Sequence, residues 1–167
     1  MTLVKSNRAP SGDQKYVVGP YNLNQAQLAS MVNAGVSEAV TANKALVAND
    51  SGKTLFVDPA ATTLIQLPSA VANPDWKIRI YITEGDGGTM DQKINIGAYA
   101  GEFFNGYLVG GDAGGSVVGN GSSNDFITCA TGSTSGEFFD IMSNGVAMYA
   151  TGIVNDVSHT LFADTAG

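Results

Sequence analysis

A single cysteine, Cys129, leaves this chain without any intrachain disulfide, so the fold cannot depend on one, in keeping with synthesis in a cytoplasm. The apolar neighbours in "DFITCATG" mark that cysteine as a small buried hydrophobe rather than a nucleophile. Histidine is equally scarce. His159 stands alone, and one imidazole with one distant thiol does not make a zinc site. Charged residues make up 14% of the chain, well below the usual quarter, and the net charge is −7. That acidity argues against binding a nucleic acid backbone, which needs clustered lysine and arginine. No run approaches the roughly 20 apolar residues that span a bilayer. "MTLVKSNRAPSGDQK" has no apolar core of a secretory signal, so the expectation is a protein without a membrane association.

What is abundant is glycine, at 21 residues, together with Ser, Thr, Asn and Ala, against an apolar content of 44%. Apolar runs of strand length separated by Gly and Asn turns point to many short strands. One domain with a substantial core is expected from 167 residues. The reading is mainly β: a jelly-roll-like sandwich or barrel, with an extended N-terminal arm and one short N-terminal helix.

Three segments follow. Residues 1–22 form the arm, interrupted by Pro10, Gly12, Gly19 and Pro20, with one short strand possible in "KYVV". The arm carries Lys5, Arg8 and Lys15 against Asp13, a net of +2, whereas the rest of the chain holds five cations and fourteen acids, a net of −9. Such an arm is either a solvated tail or a strap for an acidic protein surface. Residues 23–45 hold a helix at 24–34, capped by Asn22 or Asn24 and ended near Gly35, with a looser stretch to Asn43. Leu28, Met31 and Val32 make its apolar stripe, which must pack on the body or on another subunit.

Residues 46–167 form the β body, with a first strand read in "KALVAND" just across its boundary. In "WKIRIYITE", Trp76, Ile78, Ile80 and Ile82 share one face, while Lys77, Arg79, Tyr81 and Thr83 share the other. "EFFDIMSNGVAMY" predicts a hairpin with a type I′ turn at Asn144 and Gly145. Its first strand is apolar on both faces, through Phe139 and Ile141 on one and Phe138 and Met142 on the other. It is expected to be covered on both, between layers or at a subunit interface.

Signals of chemistry are weak. "NDSGKT" ends like a phosphate-binding loop but has Val47 where the pattern needs glycine, so it reads as an ordinary turn. Glu84, Asp86 and Asp91 lack the spacing of a calcium loop. Trp76 opens an alternating strand and reads as core rather than a sugar platform. No catalytic residue, metal site or cofactor is assigned.

Three segments carry a resemblance: "ANDSGKTLFVDPAATTLIQLPSA" (48–70), "WKIRIYITEGDGG" (76–88) and "TSGEFFDIMSNGVAMYATG" (134–152). The stretch from Leu46 to about Gly152 resembles C-terminal β domains of bacteriophage virion proteins, among them capsid decoration (cement) proteins and head or tail fibres. The short span ahead of the β body favours decoration over a fibre. The resemblance implies a virion protein on the capsid surface, made in the host cytoplasm, that binds the major capsid protein, stabilises the head and assembles as a homotrimer. Lys5, Arg8, Lys15, Tyr16 and Tyr21 would then be the capsid-binding arm, and Leu28, Met31, Val32, Phe138 and Met142 the contacts between copies. The alternative is a head- or tail-fibre module that binds a host receptor or glycan through loops such as 110–124. An enzyme, such as a glycan depolymerase, is the third reading.

Overall fold

The computed structural model describes residues 25–83, 90–111, 115–133 and 135–164, together with the strands at 3–5 and 16–18. The protein is mainly β, with two mixed sheets and one short helix. Strand β1 (Leu3–Lys5) pairs antiparallel with β2 (Tyr16–Val18), so the "KYVV" strand exists and has a partner within the arm. Helix α1 spans Gln25–Val32, and Gly35 follows in the left-handed region at φ 85°.

The body comprises β3 (Ser37–Val40), β4 (Lys44–Ala45), β5 (Thr54–Val57), β6 (Thr63–Gln66), β7 (Lys77–Ile82), β8 (Ile94–Gly97), β9 (Phe104–Gly110), β10 (Ser116–Asn120), β11 (Phe126–Cys129), β12 (Phe138–Ser143), β13 (Met148–Val154) and β14 (Thr160–Ala163). One sheet has seven strands in the order β10-β9-β13-β12-β7-β5-β3, and the other has five in the order β14-β11-β8-β6-β4. The pairs β3/β5, β5/β7, β9/β13, β4/β6 and β6/β8 are parallel.

The inward faces of both sheets form one apolar cluster. The alternation read in β7 holds: Ile78, Ile80 and Ile82 are buried, while Lys77 and Arg79 are exposed. Each such burial contributes roughly 1.5–3 kcal/mol, which makes the strand period the main source of stability. β8 is buried along its whole length. The edge strands β10 and β14 lie against each other. Next to that contact, Phe104 of β9 and Phe162 of β14 have their rings 6.1 Å apart.

Three expectations are corrected. Residues 37–40 are a strand, not a loose helical or coiled stretch, because β3 takes its hydrogen bonds from β5 and needs only Val40 turned inward. "KALVAND" is a two-residue strand followed by a turn of 3-10 helix at Ala48–Asp50, where the Val47 N–H donates to the Asp50 carboxylate at 2.9 Å. The β12–β13 connection is a four-residue loop, since Ser143 pairs with Met148. Only Gly145 in it has positive φ, and the Asn144 side chain shapes it by accepting from the Val146 and Ala147 N–H groups, both at 2.9 Å. One alternative is narrowed as well: the stripe of α1, expected on the body or on another subunit, does not pack on the body. Ala26 is the buried residue, and Leu28, Met31 and Val32 are exposed. Polar side chains fix the helix instead. Asn33 donates to the Asn49 and Ser51 carbonyls at 2.6 and 3.0 Å, and Gln27 donates to Asp75 at 2.8 Å.

Candidate interaction surface

Strand pairing converts isolated outward residues into rows. Across the seven-stranded sheet, register aligns Ala39, Phe56, Tyr81, Phe138, Ile153, Val109 and Ser116. This row crosses the whole outer face, and every member between its small end residues is apolar or aromatic. Phe56 and Tyr81 stack with centroids 5.4 Å apart, and Tyr81 and Phe138 follow at 5.7 Å. Ile153 and Val109 continue the row with 54% and 43% of their surface exposed. Cross-strand aromatic neighbours of this kind stabilise the sheet, yet here they also leave apolar surface toward solvent.

The next row holds Thr54, Arg79, Asp140, Thr151, Tyr107 and Val118. Arg79 grips Asp140 with two hydrogen bonds, of 2.6 and 2.5 Å, and lies 5.5 Å from the centre of the Phe138 ring. The Asp140 carboxylate raises the pKa of an already basic guanidinium. Planar pairing and ring contact together are what arginine offers and lysine does not. The third row runs Lys77, Met142, Tyr149, Asn105 and Asn120. A shallow groove of about 370 Å³ lies over the first strands of this face, lined by Lys53, Thr54, Lys77, Arg79, Asp140 and Met142 among others.

At the end of the groove, charges are neutralised within the fold. Lys53 reaches Asp50 at 2.6 Å and Glu38 at 3.1 Å, and Lys44 reaches Glu38 at 2.6 Å. The Lys44 hydrogen bond holds Glu38 below its ordinary pKa of 4.5. Burial pushes Asp50 up, but the Lys53 ammonium and the Val47 N–H together outweigh it, so its pKa falls below the ordinary 3.8. Groups depressed by folding contribute stability that is complete above their unfolded pKa and drains away as pH falls through the folded value. Stability should therefore hold above about pH 4.5 and decline below pH 4. Urea unfolding at pH 6 and pH 3 checks this. The Glu38→Gln, Asp50→Asn pair should flatten the difference without abolishing it, because Asp156 is also depressed, chiefly by the Ser158 N–H.

The structure distributes the sequence-read residues unevenly. Lys5 and Tyr16 are a backbone register pair in the β1–β2 ladder, while Arg8, Lys15 and Tyr21 lie outside the described residues. Phe138 sits half-buried in the middle of the apolar row and Met142 two rows away, so the outer side of β12 is not covered within one chain. Leu28 and Val32 line a separate groove of about 370 Å³ beside Asn49. Phe56, Tyr81, Val109 and Ile153 were missed as site residues. Their outward positions were readable from alternation, but their alignment needed the pairing.

The other candidates resolve into structure. Trp76 is fully buried. "NDSGKT" is an ordinary turn whose Gly52 N–H donates to the Lys77 carbonyl at 2.7 Å. His159 is surface-exposed, 3.7 Å from Asp156. Cys129 is buried, and burial, with the Glu137 charge second, pushes its thiol pKa far up, away from nucleophilic use. Glu137 itself is buried and accepts from Thr160 Oγ1 at 2.7 Å and the Asn155 N–H at 3.0 Å. Glu84 and Asp86 lie outside the described residues. Among the described residues no three His, Cys, Asp or Glu side chains gather as a metal site, and no helix is long and apolar enough to cross a membrane.

No family model matches the chain, and no curated protein or solved structure matches it.

Proposed function

We propose that this chain is a bacteriophage capsid decoration protein, a trimer that binds the outer surface of the shell and stabilises the head. The apolar row from Phe56 to Val109, carried by five adjacent strands of the seven-stranded sheet, is the observation that carries this reading. A sheet face with that composition is suited to contact with protein rather than with water. The resemblance of residues 46–152 to virion β domains supplies the setting. The arm supplies the attachment: Lys5, Arg8 and Lys15 as cations and Tyr16 and Tyr21 as aromatic anchors, on a chain that is otherwise acidic. A protein that binds only the assembled shell raises its stability by mass action.

Co-sedimentation of the full chain with undecorated capsids tests the reading. Saturable binding at capsid sites is expected. Lys5→Glu, Arg8→Glu and Lys15→Glu together should weaken it by at least about tenfold and reduce its salt dependence. Undiminished binding by that variant removes the arm from the mechanism.

One feature favours the fibre-type alternative. Tyr107 and Tyr149 expose their rings beside Asn105 and Asn120, a pairing of flat aromatic surface with amides that suits a sugar. Binding to a glycan array without binding to capsids would select that reading.

A further inference from the structure

We infer that Asn144, at the start of the β12–β13 loop, is a site of spontaneous deamidation, and that the fold directs the reaction to it and away from the other two Asn-Gly pairs. The inference is independent of the assembly reading.

The chain holds three such pairs: Asn105–Gly106, Asn120–Gly121 and Asn144–Gly145. Asparagine before glycine is the most open to this reaction, because no Cβ shields the following nitrogen. The glycine nitrogen adds to the asparagine Cγ and gives up its proton to solvent. Ammonia leaves with a proton taken from solvent, and a five-membered imide remains. Water then opens the imide at either carbonyl, giving aspartate or isoaspartate. The sum is one water consumed and one ammonia released.

At Asn144 both reacting groups lie outside the strand ladder. Ser143 and Met148 close the hairpin, so Asn144 and Gly145 belong to the loop, and Asn144 is exposed. Its Oδ1 accepts from the Val146 and Ala147 N–H groups, both at 2.9 Å. Two N–H groups at that distance polarise the amide carbonyl and hold the oxyanion that forms when nitrogen adds to Cγ. The Gly145 N–H donates to the Ser143 hydroxyl oxygen at 3.0 Å, a weaker acceptor than a backbone carbonyl.

The other two pairs are held by strands. Gly106 is paired on both sides, with Gly119 of β10 and Ala150 of β13. Its nitrogen can turn toward the Asn105 Cγ only if β9 leaves the sheet. The Asn105 side chain also lies against Gly121, where a Cβ would come 2.3 Å from Oδ1. Asn120 pairs with Asn105, and the Gly121 N–H donates to the Phe104 carbonyl at 2.9 Å. The Asn120 Oδ1 does accept two bonds, from the Ser122 N–H and hydroxyl at 3.1 Å each, but its nucleophile is tied to β9. Both reactions therefore wait on local opening, which paired strands undergo far less often than loops.

The products differ in effect. Each adds one negative charge to a chain of net charge −7. Aspartate keeps the acceptor for both N–H groups and strengthens those bonds by its charge. Isoaspartate lengthens the backbone of the loop by one carbon and unseats them.

Peptide mapping by mass spectrometry tests this, on the full chain incubated at mildly alkaline pH in buffer and, separately, in concentrated urea. In buffer, conversion at Asn144 is expected to run at least about tenfold faster than at Asn105 or Asn120. In urea, where only the local sequence acts, the three rates should converge. Asn144→Asp should abolish the fast conversion and leave the two slow ones unchanged. Conversion at Asn105 or Asn120 as fast as at Asn144 in the folded chain overturns the inference. So does an Asn144 that stays intact in buffer while it reacts in urea. Selectivity of the same size in urea also overturns it, since the preference would then belong to the local sequence and not to the fold.

Discussion

Replacing Trp76 with alanine is expected to lower the unfolding free energy by about 3–5 kcal/mol, the usual cost of emptying a large buried aromatic site. Domains of this size are stable by about 5–15 kcal/mol, so the loss takes a third or more of the total in most cases. Trp76 is fully buried at the start of β7, and its indole N–H donates to the Val47 carbonyl at 3.1 Å. Its backbone is held as well: the Trp76 N–H donates to the Asn73 carbonyl and its own carbonyl accepts from Ser143. Trp76 thus joins the turn before β5 through its ring and the end of β12 through its backbone. Trp76→Phe keeps much of the apolar contact and loses the indole bond, so a smaller loss of about 1–3 kcal/mol is expected. Urea unfolding followed by circular dichroism measures both. A loss below about 1 kcal/mol for the alanine variant would mean that the ring is not a keystone of the core.

Gly106→Ala should cost more than about 3 kcal/mol, a large effect for one methyl group. Gly106 lies in β9 opposite Ala150 of β13, with φ at 129°. A Cβ there would fall 1.8 Å from the Ala150 carbonyl oxygen and 2.8 Å from its carbon. Side chains rarely adopt that φ, and strain of this kind alone costs about 1–3 kcal/mol. The collision adds to it, because the obstacle is backbone in a paired strand and cannot swing aside. Gly101→Ala is the comparison. Gly101 also has positive φ, at 79°, but a Cβ there meets open space. Its cost should be limited to about 1 kcal/mol of backbone strain. Equal costs for the two would show that the approach of β9 to β13 is looser than the distance implies.

Alternation made the body strands legible. The outward and inward sets in β7 and β12 follow directly from residue order, and β9, β10 and β13 fall where their runs predict. β3 was invisible because "SEAV" turns only one large apolar side chain inward and owes its form to β5. The exposure of the helix stripe was hidden for a different reason: Gln27 and Asn33, not the stripe, decide which side of α1 meets the body. The apolar row was hidden most completely. Phe56 and Tyr81 meet through a parallel pair, Tyr81 and Phe138 through an antiparallel one, and Ile153 and Val109 through a parallel one again. Parallel pairing depends on crossover connections, and no local residue pattern announces it. A surface built from five strands thus reads in sequence as five ordinary outward residues.

Capsid rupture temperature, followed in undecorated shells with and without this protein, tests the functional account most directly. A saturable rise that tracks bound protein is the predicted result. Rupture at the same temperature, with every shell site occupied, would contradict the claim that this chain works by holding a larger assembly together.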